Sequence, residues 1–384
     1  MNIKKIKILF VTGSRGEWGY IRPILELIKR SFDIEYEICA TNMHLLPNFG
    51  NSIDEISNDG FEIKYKINMS LDGYNHFTQV KSLAIFLSSF SDILDSSMPD
   101  WILLAGDRGE QLMGAIAGAY TYIPVAHIQA GEKSGNIDGT ARHAIGKLAH
   151  IHFASNKDAS KRLINLGEQD FRVFNVGAPQ IDELVEDRIS SNIEIMKKLN
   201  FNISCQYILF VQHPVTEEFD KADFQIKETI KALTNFDLPI VVILPNNDAG
   251  SLIIRKNIEN LIIGKVFIFS NLKREEYLAL LRNTKVIIGN SSSGLLEAPT
   301  FNTPAVNIGR RQNDRVQGLN VINCEHDASK ITKAIDKAIS KNFKKMLNEK
   351  CKNPYGDGES SKKILDVIRN TEINNKLIMK DITC

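Results

Sequence analysis

This sequence carries no excess charge of either sign: 47 basic side chains are offset by 46 acidic ones, leaving a formal net charge of +1. A surface so balanced lacks the broad field that drives binding to nucleic acid or anionic membranes. Any anion held here is held locally. Cysteine is scarce as well. Cys39, Cys205, Cys324, Cys351 and Cys384 are scattered, odd in number and never spaced C-x-x-C, which argues against a disulfide framework and a zinc cage. No apolar run approaches the roughly 20 residues of a membrane-spanning helix. The basic N-terminal residues lead into a short strand-like run, Ile8–Thr12, and not into the apolar core of a signal peptide. Short-period repeats and low-complexity segments are also missing. A cytoplasmic protein in a reducing compartment, with no nucleic-acid or membrane partner, is the expectation.

What is present is an alternation. Apolar runs of four to six residues are separated by helical patterns almost throughout, the signature of βαβ units and parallel sheet. Strands are expected at 6–12, 34–40, 62–66, 101–105, 124–128, 151–154 and 172–176, with helices near 19–30, 51–59, 77–95, 109–120, 142–149 and 156–166. A charged helical stretch, Asp182–Leu199, reads as a crossing, after which strands recur near 207–211, 239–244, 266–269, 285–289, 304–307 and 320–323. Lys341–Ser361, with its lysines and the Pro354-Tyr-Gly-Asp-Gly358 turn, reads as a loop or hinge before a last helix near 361–370. At 384 residues the chain exceeds what one core usually serves. The expected architecture is α/β, with two Rossmann-like doubly wound domains, 1–182 and 183–384, facing a central cleft. The last helix is a candidate to pack back on the first domain.

Charge is concentrated between Gly106 and His152. Gly106-Asp-Arg108, His127-Ile-Gln-Ala-Gly-Glu132 and Ser134-Gly-Asn-Ile-Asp-Gly139 place Asp107, Glu132 and Asp138 in loops beside strand-like runs. Polar groups at strand ends of an α/β sheet project into the ligand crevice. Three acids converging there would repel, raise the proton affinity of at least one and poise it for proton transfer. Asp107 could equally cap the next helix, and ion-pair networks imitate such clusters. The first strand runs into Thr12-Gly-Ser-Arg-Gly-Glu-Trp-Gly19, whose glycine spacing fits neither G-x-G-x-x-G nor a Walker motif. That turn is either a phosphate or sugar contact or merely a tight βα connection, with Arg15 favouring an anion. His150 and His152 alternate along a strand without a third ligand at convincing spacing, so no metal is expected.

Three strand ends of the second half carry polar groups: Gln212-His-Pro-Val-Thr216, Pro245-Asn-Asn-Asp-Ala-Gly250 and Ile288-Gly-Asn-Ser-Ser-Ser-Gly-Leu-Leu-Glu297. The first two could be plain turns. The serine-rich turn reads as a phosphate cradle with hydroxyl and backbone donors. A serine nucleophile is the rival, but G-x-S-x-G is absent. Gly309-Arg-Arg-Gln312 adds cations after the next strand.

With these motifs in place, the chain resembles the hydrolysing UDP-N-acetylglucosamine 2-epimerases, a branch of a family with the two-domain GT-B fold. The resemblance spans residues 5–323. The non-hydrolysing branch usually reads G-D-T and H-V-E-A-G-L-R where this chain has Gly106-Asp107-Arg108 and His127-Ile-Gln-Ala-Gly-Glu132. The run from Ser134 to His150 is also typical of the hydrolysing branch. First-loop Gly16 and Glu17, where Ala-Asp is common, depart from the pattern, as do Asn42 and Ala130, all on the sugar side.

The resemblance implies that Asp107, Glu132 and Asp138 are catalytic acids. It implies that His213, Asn246, Ser291, Ser292 and Glu297 bind UDP, the serines at the diphosphate and Glu297 at the ribose. Arg15, Arg108 and Arg311 match positions near the diphosphate and cleft, and His44 matches a histidine of the sugar pocket. The implied reaction turns a UDP-sugar and water into UDP and a free 2-epimerised sugar through a glycal intermediate, with no cofactor. UDP-N-acetylglucosamine is the first-choice substrate, yielding N-acetylmannosamine for sialic-acid-type synthesis. The runner-up is UDP-2,4-diacetamido-2,4,6-trideoxyglucose on a legionaminic-acid route. A GT-B glycosyltransferase is the rival of another class. A homodimer is implied.

Overall fold

The computed structural model describes residues 5–46, 52–71, 76–133, 137–185, 206–245, 250–261, 265–270, 272–381 and 383, with the side chains of residues 76, 137, 138, 185, 216 and 217 left out. The chain forms two compact units, one comprising 1–183 with 355–384 and the other 184–354. The linear division expected from the sequence therefore needs one correction: the C-terminal thirty residues join the first unit.

The first unit is built on a seven-stranded sheet in the order β3-β2-β1-β4-β5-β6-β7. Its strands are β1 (Ile6–Thr12), β2 (Ile34–Thr41), β3 (Tyr65–Ile67), β4 (Trp101–Ala105), β5 (Val125–Ala130), β6 (Ile151–Ala154) and β7 (Val173–Asn175). Every pairing is parallel. Side chains of a strand point alternately to opposite faces. Ile8 and Phe10 of β1 accordingly join one core while Leu9 and Val11 join the other, and both faces are buried. That is why these strands read as unbroken apolar runs. Ile364, Leu365 and Ile368 of the helix Ser360–Asn370, together with Leu377, belong to the first of these cores. Asp182 accepts from the backbone N–H groups of Ser360 and Ser361 at 3.0 and 2.6 Å, fixing the start of that helix.

The second unit repeats the plan with six parallel strands in the order β10-β9-β8-β11-β12-β13. These are β8 (Ile208–Val211), β9 (Ile240–Ile243), β10 (Val266–Phe269), β11 (Val286–Gly289), β12 (Ala305–Ile308) and β13 (Val321–Cys324). In each sheet the order reverses beside the first strand of the unit, so the tips of β1 and β4, and of β8 and β11, flank a topological switch point where ligands of such folds bind.

Three helical expectations change. The first helix starts at Arg15 and not near 19, because Ser14 caps it with its side chain. Gly16 and Gly19 are therefore helical, and only Gly13 remains in the turn. The helix after β5 runs over Ile137–Leu148, so Asp138 lies in a helix and not in a glycine loop. Lys341–Lys350 is a helix, not a hinge: Ser340 caps it through Phe343 N–H, and fully buried Leu347 anchors it. Residues 186–199 of the expected crossing lie outside the described residues.

Candidate active site

The acids of the first unit leave the C-terminal ends of neighbouring strands. β4 and β5 pair in parallel with Leu104 opposite His127 and Ala105 opposite Ile128. Gly106 N–H continues the ladder to Ile128 O at 3.1 Å, and His127 Nε2 lies 2.7 Å from Gly106 O. Asp107 follows at once, and Glu132 emerges two residues past the tip of β5. Their surroundings are not those of acids repelling one another. Asp107 is ion-paired with Arg142 of the helix after β5, whose side chain is buried. Glu132 is buried and accepts from the Ser155 hydroxyl and from Asn156 Nδ2, both at the end of β6. Ser155 and Asn156 are thus partners that sequence reading missed, and only their position after a strand gave a signal. The side chain of Asp138 lies outside the described residues.

His127 is fully buried, and burial pushes its pKa down to about 3, so it is a neutral brace between the β4 and β5 ends. His44 has a similar fate. It is fully buried, with Thr12 Oγ1 2.9 Å from Nε2 and Ser52 Oγ 2.8 Å from Nδ1. Burial holds its pKa at about 4. With both ring nitrogens in contact with protein hydroxyls, His44 steadies the turn after β1. Arg15 points outward, paired with Glu55 at 2.8 Å, while Arg108 is half-exposed with Nε 3.2 Å from Glu110. His150 accepts from Val125 N–H and His152 contacts Glu168 at 2.9 Å, so the two do not converge on a common ligand position.

In the second unit a residue absent from the expected set organises the rest. Asn290 follows β11; its Oδ1 accepts from His213 N–H at 2.7 Å and its Nδ2 donates to His213 O at 2.8 Å. Its carbonyl accepts from Arg311 Nη1 at 3.2 Å and from Gln312 Nε2 at 2.9 Å. One buried asparagine therefore ties the tips of β8, β11 and β12. The approach requires glycine next to it: a Cβ on Gly289 would lie 2.1 Å from Val211 O, and Gly289 has φ +117°. Ser291 Oγ sits 3.0 Å from Ser293 Oγ, which also accepts from Tyr277 Oη at 2.6 Å. Ser292 is the N-cap of the short helix Ser293–Leu296. Glu297 is mostly buried and held by Arg274 at 2.9 Å. The structure thus brings His213, Ser291, Ser292 and Arg311 to the C-terminal ends of three adjacent strands, β8, β11 and β12, while Asn246 lies outside the described residues.

Comparison with solved structures defines the class first. The chain matches UDP-GlcNAc 2-epimerase from Neisseria meningitidis bound to UDP-GlcNAc with a TM-score of 0.83 at 19% identity, covering 95% of this chain and 100% of that one. Its architecture is therefore the GT-B-like fold of such epimerases. The sequence places it further: the UDP-N-acetylglucosamine 2-epimerase family profile matches residues 26–369, and the chain belongs to that family. It is 36% identical over 375 residues to the UDP-N,N'-diacetylbacillosamine 2-epimerase (hydrolyzing) of Legionella pneumophila, covering 97% of this chain and 98% of the relative. It is 30% identical over 369 residues to the UDP-N-acetylglucosamine 2-epimerase of Neisseria meningitidis, covering 96% of each.

Proposed function

We propose that this protein is a hydrolysing 2-epimerase of a UDP-linked 2-acetamido sugar, releasing UDP and the free manno-configured sugar. The observation that carries the reading is the emergence of Asp107 and Glu132 from the ends of adjacent parallel strands, each already oriented by its own donors. Epimerisation at C2 needs a base to take the C2 proton and an acid to return one on the opposite face; hydrolysis needs a water activated for attack at C1. Loss of the C2 proton and cleavage of the C1–O bond to UDP give a glycal. Addition of water across its double bond, hydroxyl at C1 and proton at C2, completes the exchange. Asp107, Glu132 and Asp138 divide these proton transfers. Arg142 steadies the Asp107 carboxylate, and Arg108 offers positive charge toward the departing diphosphate.

The nucleotide belongs on the second unit. His213, Asn246, Ser291, Ser292 and Arg311 receive UDP, with Glu297 at the ribose and Asn290 holding the strand tips in register. Arg15 is proposed as a further cation for an anionic ligand. The hydrolysing outcome is favoured by His127-Ile-Gln-Ala-Gly-Glu132, which carries Gln129 where the non-hydrolysing pattern has an acid.

The sugar is the 2,4-diacetamido-2,4,6-trideoxy compound, ahead of the UDP-N-acetylglucosamine that the motifs alone put first. In support, the relative named for diacetylbacillosamine shares 36% identity and the one named for UDP-N-acetylglucosamine 30%. The product then feeds a sialic-acid-like synthesis of the legionaminic type. A homodimer is part of the same proposal, and sedimentation equilibrium checks it.

Asp107→Asn and Glu132→Gln test the assignment. Turnover is expected to fall by about 10²–10⁴-fold, the usual worth of a general acid or base, while UDP affinity by calorimetry stays within a few-fold. Full turnover in both variants would remove these acids from the mechanism and move the transferase and pure binding readings ahead.

A further inference from the structure

Glu17 is a buried acid to which the reaction above gives no task. Ser14-Arg-Gly-Glu17 has the S-x-x-E spacing of a capping box, and Glu17 does cap: its Oε2 accepts from Gly13 N–H at 2.5 Å, and its own N–H lies 3.4 Å from Ser14 Oγ. Capping glutamates ordinarily sit in water. This one is 2% exposed, and its second oxygen, Oε1, is buried without a partner. Glu110, also 2% exposed, reaches the same place from the helix Gly109–Tyr120. A Cβ on Gly13 would stand 2.2 Å from Glu110 Oε1. Two buried carboxyl groups thus close on one glycine from the ends of β1 and β4.

Among the described residues the opposing charge around them is small. Arg108 Nε is 3.2 Å from Glu110, and the other close donor, Asn42 Nδ2 at 2.9 Å, is neutral. Gln111, which accepts from Ala105 N–H and donates to Val11 O, is a further neutral group near Glu17. His44 is neutral behind Thr12. Arg15 is paired with Glu55, Arg22 further along the first helix with Asp59 and Glu183, and Arg142 with Asp107. Two carboxylates against one adjacent guanidinium leave a buried negative charge uncompensated, which proteins avoid by binding a proton.

We propose that Glu17 and Glu110 hold one proton between them, and that Glu17 is thereby a positioning residue whose protonation keeps Arg108 directed at an anionic substrate. Burial first, and the charge of Glu110 second, raise the Glu17 carboxyl well above the ordinary carboxylate range. Removing the proton would set a second full carboxylate beside Arg108, draw the guanidinium toward Gly13 and weaken its hold on a diphosphate. The substrate part of this inference rests on the function proposed above; the shared proton does not.

Infrared difference spectroscopy on the full chain at neutral pH reads the proton directly. The wild type is expected to show a carboxylic C=O band, shifted in D₂O, that is lost in Glu17→Gln and diminished in Glu110→Gln, where burial still favours the protonated acid but the neighbouring charge is gone. Glu17→Gln keeps an oxygen to cap Gly13, and Glu110→Gln supplies an independent variant. Absence of the band in the wild type, or its undiminished survival in either variant, would overturn the shared proton. The second readout is KM for the UDP-sugar against pH. In the wild type KM should climb about tenfold per pH unit once the pair loses its proton, and Glu17→Gln should abolish that climb while kcat keeps its own profile. An alkaline climb unchanged in Glu17→Gln would overturn the positioning role. If neither UDP-sugar turned over, the proposed function would fall and the infrared result would still decide the proton.

Discussion

Gly289 shows how narrowly single residues hold the nucleotide side. Its φ of +117° and the 2.1 Å approach of a would-be Cβ to Val211 O leave no room for a side chain. Gly289→Ala should cost roughly 3 kcal/mol, combining backbone strain with a clash against main chain; urea unfolding measures it, and a loss under about 0.5 kcal/mol would show that the strand tip yields freely. Asp107 and Glu132 were legible in the sequence because a strand end is the one place in an α/β sheet where a charged residue after an apolar run has a purpose. Asn290 was not, since its side chain and carbonyl reach residues 213, 311 and 312, and sequence spacing carries no sign of them. Glu17 was noticed only as a longer acid in a family loop. Its charged neighbour Glu110 lies 93 positions away, and the three-acid repulsion expected at Asp107, Glu132 and Asp138 gives way to an ion pair and hydrogen bonds at the first two. The bracing of His44 by Thr12 and Ser52 was equally hidden, because neither contact leaves a sign in sequence spacing.

Among the elements, the parallel strands were the easiest to read, because sheets buried on both faces demand continuous apolar runs. All thirteen described strands fall on or within a few residues of those expected. Helix starts were harder. Capping by Ser14 and Ser340 decides where the first helix and Lys341–Lys350 begin, and the lysine-rich composition of the latter concealed the single buried face that Leu347 anchors. The C-terminal segment is the element with the least sequence signal and a strong attachment. Fully buried Arg172 donates to Leu377 O at 2.7 Å, Lys376 O at 2.8 Å and His150 O at 3.1 Å. Lys380 meets Glu168 at 2.5 Å, and Glu168 also pairs with Lys147 and His152. Arg172→Ala orphans these carbonyls and should cost roughly 3 kcal/mol. Limited proteolysis should then cut within residues 371–381 far faster than in the wild type; equal rates would mean that Leu377 and Lys380 suffice to hold the segment.

At the scale of the whole molecule, the two units share a plan but differ in their response to acid. In the first unit burial holds His44, His150 and His152 at a pKa of about 4 and His127 at about 3, against 6.5 when free. The unfolded chain binds protons that the folded unit refuses, so stability is intact above pH 6.5 and falls as pH drops toward 4, by up to about 1.4 kcal/mol per pH unit for each histidine. Glu168, held at about 2, extends the loss to lower pH. In the second unit His326 is shifted the same way. Calorimetry from pH 7 to 4 should therefore show the first unit melting earlier as acid is added; parallel shifts of both units would show that these histidines take up protons without unfolding. The reaction itself is tested most directly by incubating the protein in D₂O with UDP-2,4-diacetamido-2,4,6-trideoxyglucose and, separately, UDP-N-acetylglucosamine, following products by NMR. The prediction is UDP together with a free manno-configured sugar bearing deuterium at C2, formed faster from the diacetamido substrate. Reversible formation of a UDP-linked manno sugar, or a released sugar that keeps protium at C2, would contradict hydrolysis with epimerisation.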